Sequence, residues 1–233
     1  MQQAYAPGHD MAVSLEAAFF RRVYNWMVAG LALTGVMAWF VASSQSLNQL
    51  ILGNPIVFYL LIGAELVMVF TLASRVHKMK ASTASTLFII YSLLNGATLS
   101  FIFLAYTQST IYTAFFVTAG TFAAMSVYGY ATKRSLASLG GFLFMGLIGI
   151  IIASVVNMFL NSQTIYWVVT YAGVLIFVGL TAYDTQRLKE MARGGFEGEE
   201  METKAAVMGA LALYLDFINL FLMLLRIFGG SRD

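Results

Sequence analysis

The sequence predicts an all-α integral membrane protein of seven transmembrane helices. Three observations carry that prediction. Of 233 residues, 60% are hydrophobic and 10% charged, with a mean hydropathy of +0.79, against roughly 25% charge in a soluble domain. No charged residue occurs between Arg22 and Glu65, and a spanning helix needs about 20 mainly apolar residues. Finally, the apolar runs are long and uninterrupted, with Pro only at Pro7 and Pro55, whereas barrel strands would be about 10 residues of alternating polarity.

The spans are expected near residues 23–41, 55–73, 86–106, 111–131, 136–160, 164–183 and 205–225. Segments 43–54, 107–110 and 161–163 are polar and uncharged, and each suits a turn between antiparallel helices. Residues 1–22 read as a tail, 23–228 as the membrane domain and 229–233 as a C-terminal tail. The loop 185–203, with Glu190, Glu197, Glu199, Glu200 and Glu202 beside Gly194 and Gly195, reads as a solvated linker. The first span is too long for a signal peptide's apolar region.

Basic residues orient the chain. Arg21 and Arg22 precede span one; Arg75, Lys78 and Lys80 follow span two; Lys133 and Arg134 follow span four; Arg187, Lys189, Arg193 and Lys204 follow span six. Of the 13 basic residues, only Arg226 and Arg232 lie elsewhere. The N-terminus is therefore expected in the cytoplasm and the C-terminus outside.

A net charge of +2 selects no anionic partner, nucleic acid included, and the absence of Cys excludes thiol chemistry and Cys-ligated metals. His9 and His77 fall outside the spans, and no HExxH, GxSxG or Walker A pattern occurs. No mid-span Lys is present to carry a retinal Schiff base. Neither an enzyme nor a resident cofactor is expected; the bilayer is the first partner.

Intramembrane acids cost about 2.5–3.5 kcal/mol each on insertion scales, which makes them functional candidates. Three occur. Asp216 lies about 17 Å along span seven, near mid-bilayer. It shares a helical stripe with Gly209, Ala212, Asn219, Met223 and Arg226. Small and polar residues on one side, with Phe217, Leu220, Phe221, Leu224 and Leu225 on the others, predict a central helix. An Asp216–Asn219 clasp is the structural alternative. Asp184 closes span six, where the helix dipole disfavours an anion, and Arg187 at i+3 could compensate it. Glu65, halfway along span two, could equally be a protonated carboxyl bonded to a neighbouring helix. Counted from Trp167, Asp184 lies about 25 Å down its helix, at the inner edge. The two Asp meet only if tilt, or a projecting start of span seven, brings them level.

GLTAYDTQRLK (179–189) and GALALYLDFINLFLMLLRIFG (209–229) resemble the two signatures of the Bax inhibitor-1, or transmembrane Bax inhibitor motif, family. YGYATKRSL (128–136) is similar to the fourth-loop region of its bacterial branch. The resemblance implies two layers of three helices around a central seventh, in a bacterial inner membrane. It also implies that Asp184 and Asp216 form a hydrogen-bonded pair accompanying a pH-sensitive calcium leak, opened or closed by span two. An Arg at the inner end of span two latches onto the pair in the family. Arg75 is the nearest match, its spacing from Glu65 differing by about one residue. Glu65 falls where the family's second-span acid falls, and Asn219 completes the pathway candidates. Two carboxylates in one desolvated site titrate as a unit. Two Asp offer at most four of the 6–8 oxygens calcium takes, so the metal site at Asp184 and Asp216 is weak and suited to passage.

Three functions fit: a pH-gated calcium or cation leak, a stress-related protein modulating a membrane-bound protease or another membrane complex, and a proton-coupled exchanger. Aspartyl intramembrane proteolysis lacks its second motif, since no GLGD-like sequence surrounds Asp216.

Overall fold

The computed structural model describes residues 7–229, with side chains from Ser14 onward. Residues 1–6 and 230–233, and with them Arg232 and most of the predicted C-terminal tail, lie outside the described residues. The order is α1 (Pro7–Ser43), α2 (Gln45–Ile51), α3 (Pro55–Arg75), a 3-10 turn (Val76–Lys78), α4 (Ala81–Leu99), α5 (Ile102–Ala105), α6 (Gln108–Ala131), α7 (Ala137–Leu160), α8 (Gln163–Gly194) and α9 (Glu199–Phe228). Among the described residues, seven stretches are long and apolar enough to cross a membrane, α4 and α5 together forming one of them.

Helix starts follow the side chains available to cap them. Ser44, Asn54, Thr107 and Ser162 each accept a backbone N–H of the following turn. Pro55 occupies the first turn of α3, where its missing N–H costs nothing. The connection at 43–54, expected as a plain turn, holds the short helix α2.

Helix α9 is the centre. It packs against α1, α4, α6 and α8, and no residue between Met201 and Ile227 is exposed. On one side α3 packs on α4 and α4 on α1; on the other α6 and α7 pack on α8. Tyr214 of α9 is fully buried, edge-on to Phe88 and Tyr91 with ring centres 5.8 Å away in each case. The outer helices α3 and α7 expose Ile56, Leu60, Val67, Phe70, Phe142 and Phe159, the surface that acyl chains cover. A Cβ on Gly129 of α6 would collide with the Ala182 carbonyl of α8. Glycine is what lets these two helices approach.

Two expectations are corrected. The segment 185–203 is not an extended linker: α8 runs to Gly194 and α9 begins at Glu199, leaving a turn at 195–198. Arg, Leu, Lys, Glu, Met and Ala at 187–193 are strong helix formers, and Glu199, Glu200 and Glu202 complement the dipole of the first turn of α9. Gly195 (φ 75°) and Gly198 (φ 90°) take the left-handed backbone that the turn requires. The acidic run is also engaged, since Arg22 reaches Glu202 (3.6 Å), Glu199 (3.9 Å) and Thr203 (3.1 Å). The second correction concerns the N-terminal segment. Helix α1 begins at Pro7, well before the expected span, and Phe19, Phe20 and Val23 enter the core. Glu16 is buried there and accepts from Arg193 Nε at 3.1 Å.

Candidate functional site

Helices α8 and α9 are antiparallel neighbours, and their small residues set the register. Gly209 lies against Leu188, and Gly173 against Met223. In that register Asp184 and Asp216 are about three residues out of level, roughly 4.5 Å. Side chains on a helix lean toward its N-terminus, so on antiparallel helices these two lean toward each other. The two carboxyl groups are neighbours across the α8–α9 seam. Asp184 therefore does not cap a helix end: α8 continues ten residues beyond it, to Gly194. The depth mismatch expected from the sequence disappears because α9 starts at Glu199 rather than near Ala205.

The pair has little other support. Asp216 is 4% exposed, and its Oδ2 receives no amide, amine or hydroxyl donor among the described residues. Arg187 acts on Asp184 through space, without a contact ion pair. The nearby hydroxyls are committed elsewhere: Thr181 Oγ1 donates to the Phe177 carbonyl (2.8 Å) and Thr185 Oγ1 to the Thr181 carbonyl (2.7 Å). Asn219 donates to the Leu215 carbonyl at 2.8 Å, so the Asp216–Asn219 clasp does not form. Gln186 ties the α6–α7 connection to α8, accepting from Leu136 N (2.7 Å) and donating to the Arg134 carbonyl (2.8 Å).

Glu65 belongs to a different cluster. Its Oε1 accepts from Thr98 Oγ1 at 2.8 Å and its Oε2 from Asn95 Nδ2 at 3.2 Å, both on α4. Tyr214 donates to Asn95 Oδ1 (2.9 Å), and its oxygen lies 2.6 Å from Thr34 Oγ1. A continuous buried chain thus joins α3, α4, α9 and α1. Sequence reasoning missed Asn95, Thr98, Tyr214 and Thr34. The three-residue spacing of Asn95 and Thr98 within an apolar span was the available signal. Arg75 lies exposed at the end of α3 and makes no ion pair with either Asp. Of the predicted site residues, the structure brings Asp184 and Asp216 together, leaves Asn219 one turn away and bonded to Leu215, and places Glu65 and Arg75 elsewhere.

A sheathed central helix, six surrounding spans and a carboxyl pair shared by the last two define a polytopic helical membrane protein with an ionisable interior. The chain belongs to the Bax inhibitor-1 family; the family model described as "Inhibitor of apoptosis-promoting Bax1" matches residues 16–233. It is 50% identical over 221 residues to "Inner membrane protein YbhL" of Escherichia coli, with 92% of each chain covered. It is also 42% identical over 221 residues to an uncharacterized protein of Borreliella burgdorferi, with 95% of each chain covered. A third relative, an uncharacterized protein of Deinococcus radiodurans, is 42% identical over 215 residues, covering 92% of this chain and 91% of that one.

Proposed function

We propose that this protein is a pH-sensitive leak for calcium or related cations in a bacterial inner membrane, gated by Asp184 and Asp216. The observation that carries the reading is the juxtaposition of these two carboxyls inside the bundle, one from α8 and one from α9. A carboxyl–carboxyl hydrogen bond exists only while one partner holds a proton. Removing it leaves two like charges in contact, and at about 4 Å and an effective dielectric of ~20 such charges repel by roughly 4 kcal/mol. The deprotonated pair either separates or accepts a divalent cation, which takes its remaining oxygens from water and carbonyls. Calcium is cargo in this reading, with no resident metal and no catalytic role for the chain.

The basic end of the bundle, with Arg22, Arg134, Lys189 and Arg193 tied to neighbouring helices, supports a cytoplasmic placement of that end. The similarity to YbhL, an inner membrane protein, supports the location. The test is calcium-dye flux into liposomes across a pH series, using the wild type, Asp184→Asn and Asp216→Asn. An amide donates to the remaining carboxylate at every pH, so both variants are expected to give low, pH-independent flux. A wild-type pH response in both would refute the mechanism. Absence of flux from the wild type itself would favour the interaction-protein reading.

A further inference from the structure

Helices α1 and α6 stand apart along most of their length, although both flank α9. Between them runs a groove of about 920 Å³ with almost wholly apolar walls, among them Met27, Leu31, Phe115 and Phe122. Its lining extends from Ala17 to Ala32 on α1 and from Phe115 to Ala131 on α6, roughly 22 Å of helix. Phe217 and Thr185, chain neighbours of the two Asp, contribute to it. Two features are not apolar. Ser126 lines the groove, is 7% exposed, and its hydroxyl has no hydrogen-bond partner among the described residues. One turn further on, Tyr130 closes on Phe20 with ring centres 5.2 Å apart. There Lys189 Nζ donates to the Tyr130 carbonyl and lies 4.8 Å over its ring. Exposed Lys133 and Arg134 follow at the same end.

We propose that this groove binds one acyl chain of an anionic phospholipid, with the headgroup at Lys189. The spacing suits that chemistry. From Ser126 to Phe115 is roughly 17 Å of helix, close to the ~15 Å depth of one leaflet. A Lys at the rim attracts an anionic headgroup and not a zwitterionic one to the same degree. The bound chain covers the side of α8 and α9 next to the carboxyl pair, whatever that pair does.

Native mass spectrometry of the whole protein, released from nanodiscs of equimolar phosphatidylglycerol and phosphatidylcholine, tests this. One phosphatidylglycerol per monomer is expected to survive activation that strips phosphatidylcholine. Ala123→Trp, which fills the groove, is expected to abolish that retention. Lys189→Glu is expected to cut the preference for phosphatidylglycerol by at least about fivefold, the effect of one Lys at an anionic surface. Circular dichroism and size-exclusion profiles report whether each variant folds, and Lys189→Glu decides the matter if Ala123→Trp does not fold. The proposal is overturned if both lipids leave together, if a folded Ala123→Trp still retains phosphatidylglycerol, or if a lipid-free dimer is what survives.

Discussion

The Tyr214 hydroxyl is where the buried polar chain crosses the centre of the bundle, and its removal gives a worked prediction. Tyr214→Phe keeps the ring against Phe88 and Tyr91 and deletes one oxygen. Thr34 loses little, because its hydroxyl is also 2.9 Å from the Gly30 and Ser92 carbonyls. Asn95 loses more: Tyr214 is the donor to its Oδ1, and no other reaches that atom among the described residues. Leaving a buried acceptor unpaired costs about 1–3 kcal/mol in water-soluble proteins. Interhelical hydrogen bonds within membranes average about 0.6 kcal/mol, with a maximum near 1.7. The full burial of Tyr214 and the lack of a substitute donor set the expectation at about 1–1.7 kcal/mol. The assay is reversible unfolding in mixed micelles as a double-mutant cycle of Tyr214→Phe, Asn95→Leu and the pair. A coupling energy within error of zero would refute the view that this contact joins α4 to α9 energetically.

Three further outcomes are expected. Flux through the wild type rises as pH rises, because loss of the shared proton leaves Asp184 and Asp216 as adjacent like charges; stopped-flow dye traces at stepped pH check the sign, and a fall with rising pH would contradict it. Gly129→Val places a side chain against the Ala182 carbonyl and is expected to destabilise the fold by about 1–3 kcal/mol, read as a lower midpoint in thermal aggregation. Arg193→Met leaves the buried Glu16 carboxylate without its cation, and a loss of about 1–3 kcal/mol follows. Its double variant with Glu16→Gln should recover part of that loss in the same unfolding assay.

The seven spans were legible because hydrophobic length is a property of composition and needs no knowledge of packing. The centrality of α9 was legible as well, from the small and polar stripe through Gly209, Ala212, Asp216 and Asn219. Helix ends were not. A span read from hydropathy stops where charges begin, at Tyr183 and before Ala205, while the helices continue through Arg187–Arg193 and from Glu199. Charged residues with high helix propensity extend a helix into water without a hydropathy signal. That is why Asp184 looked like a helix terminus and why the two carboxyls seemed to lie at different depths. The Glu65 network was out of reach for another reason: which residue of α4 faces α3 depends on helix rotation, and α4 offers Ser92, Asn95 and Thr98 on nearly one face. Arg75 illustrates the converse. Its place in the chain suggested a contact, and its exposed position at the end of α3 shows none.

Helix α9, which follows the other six spans in the chain, is also the one with no exposed residue between Met201 and Ile227. Six earlier segments must therefore gather with a vacancy among them, and the seventh completes the structure by insertion rather than by lateral accretion. Until it arrives, Asp184 lacks its acidic companion and Asn95 its phenol.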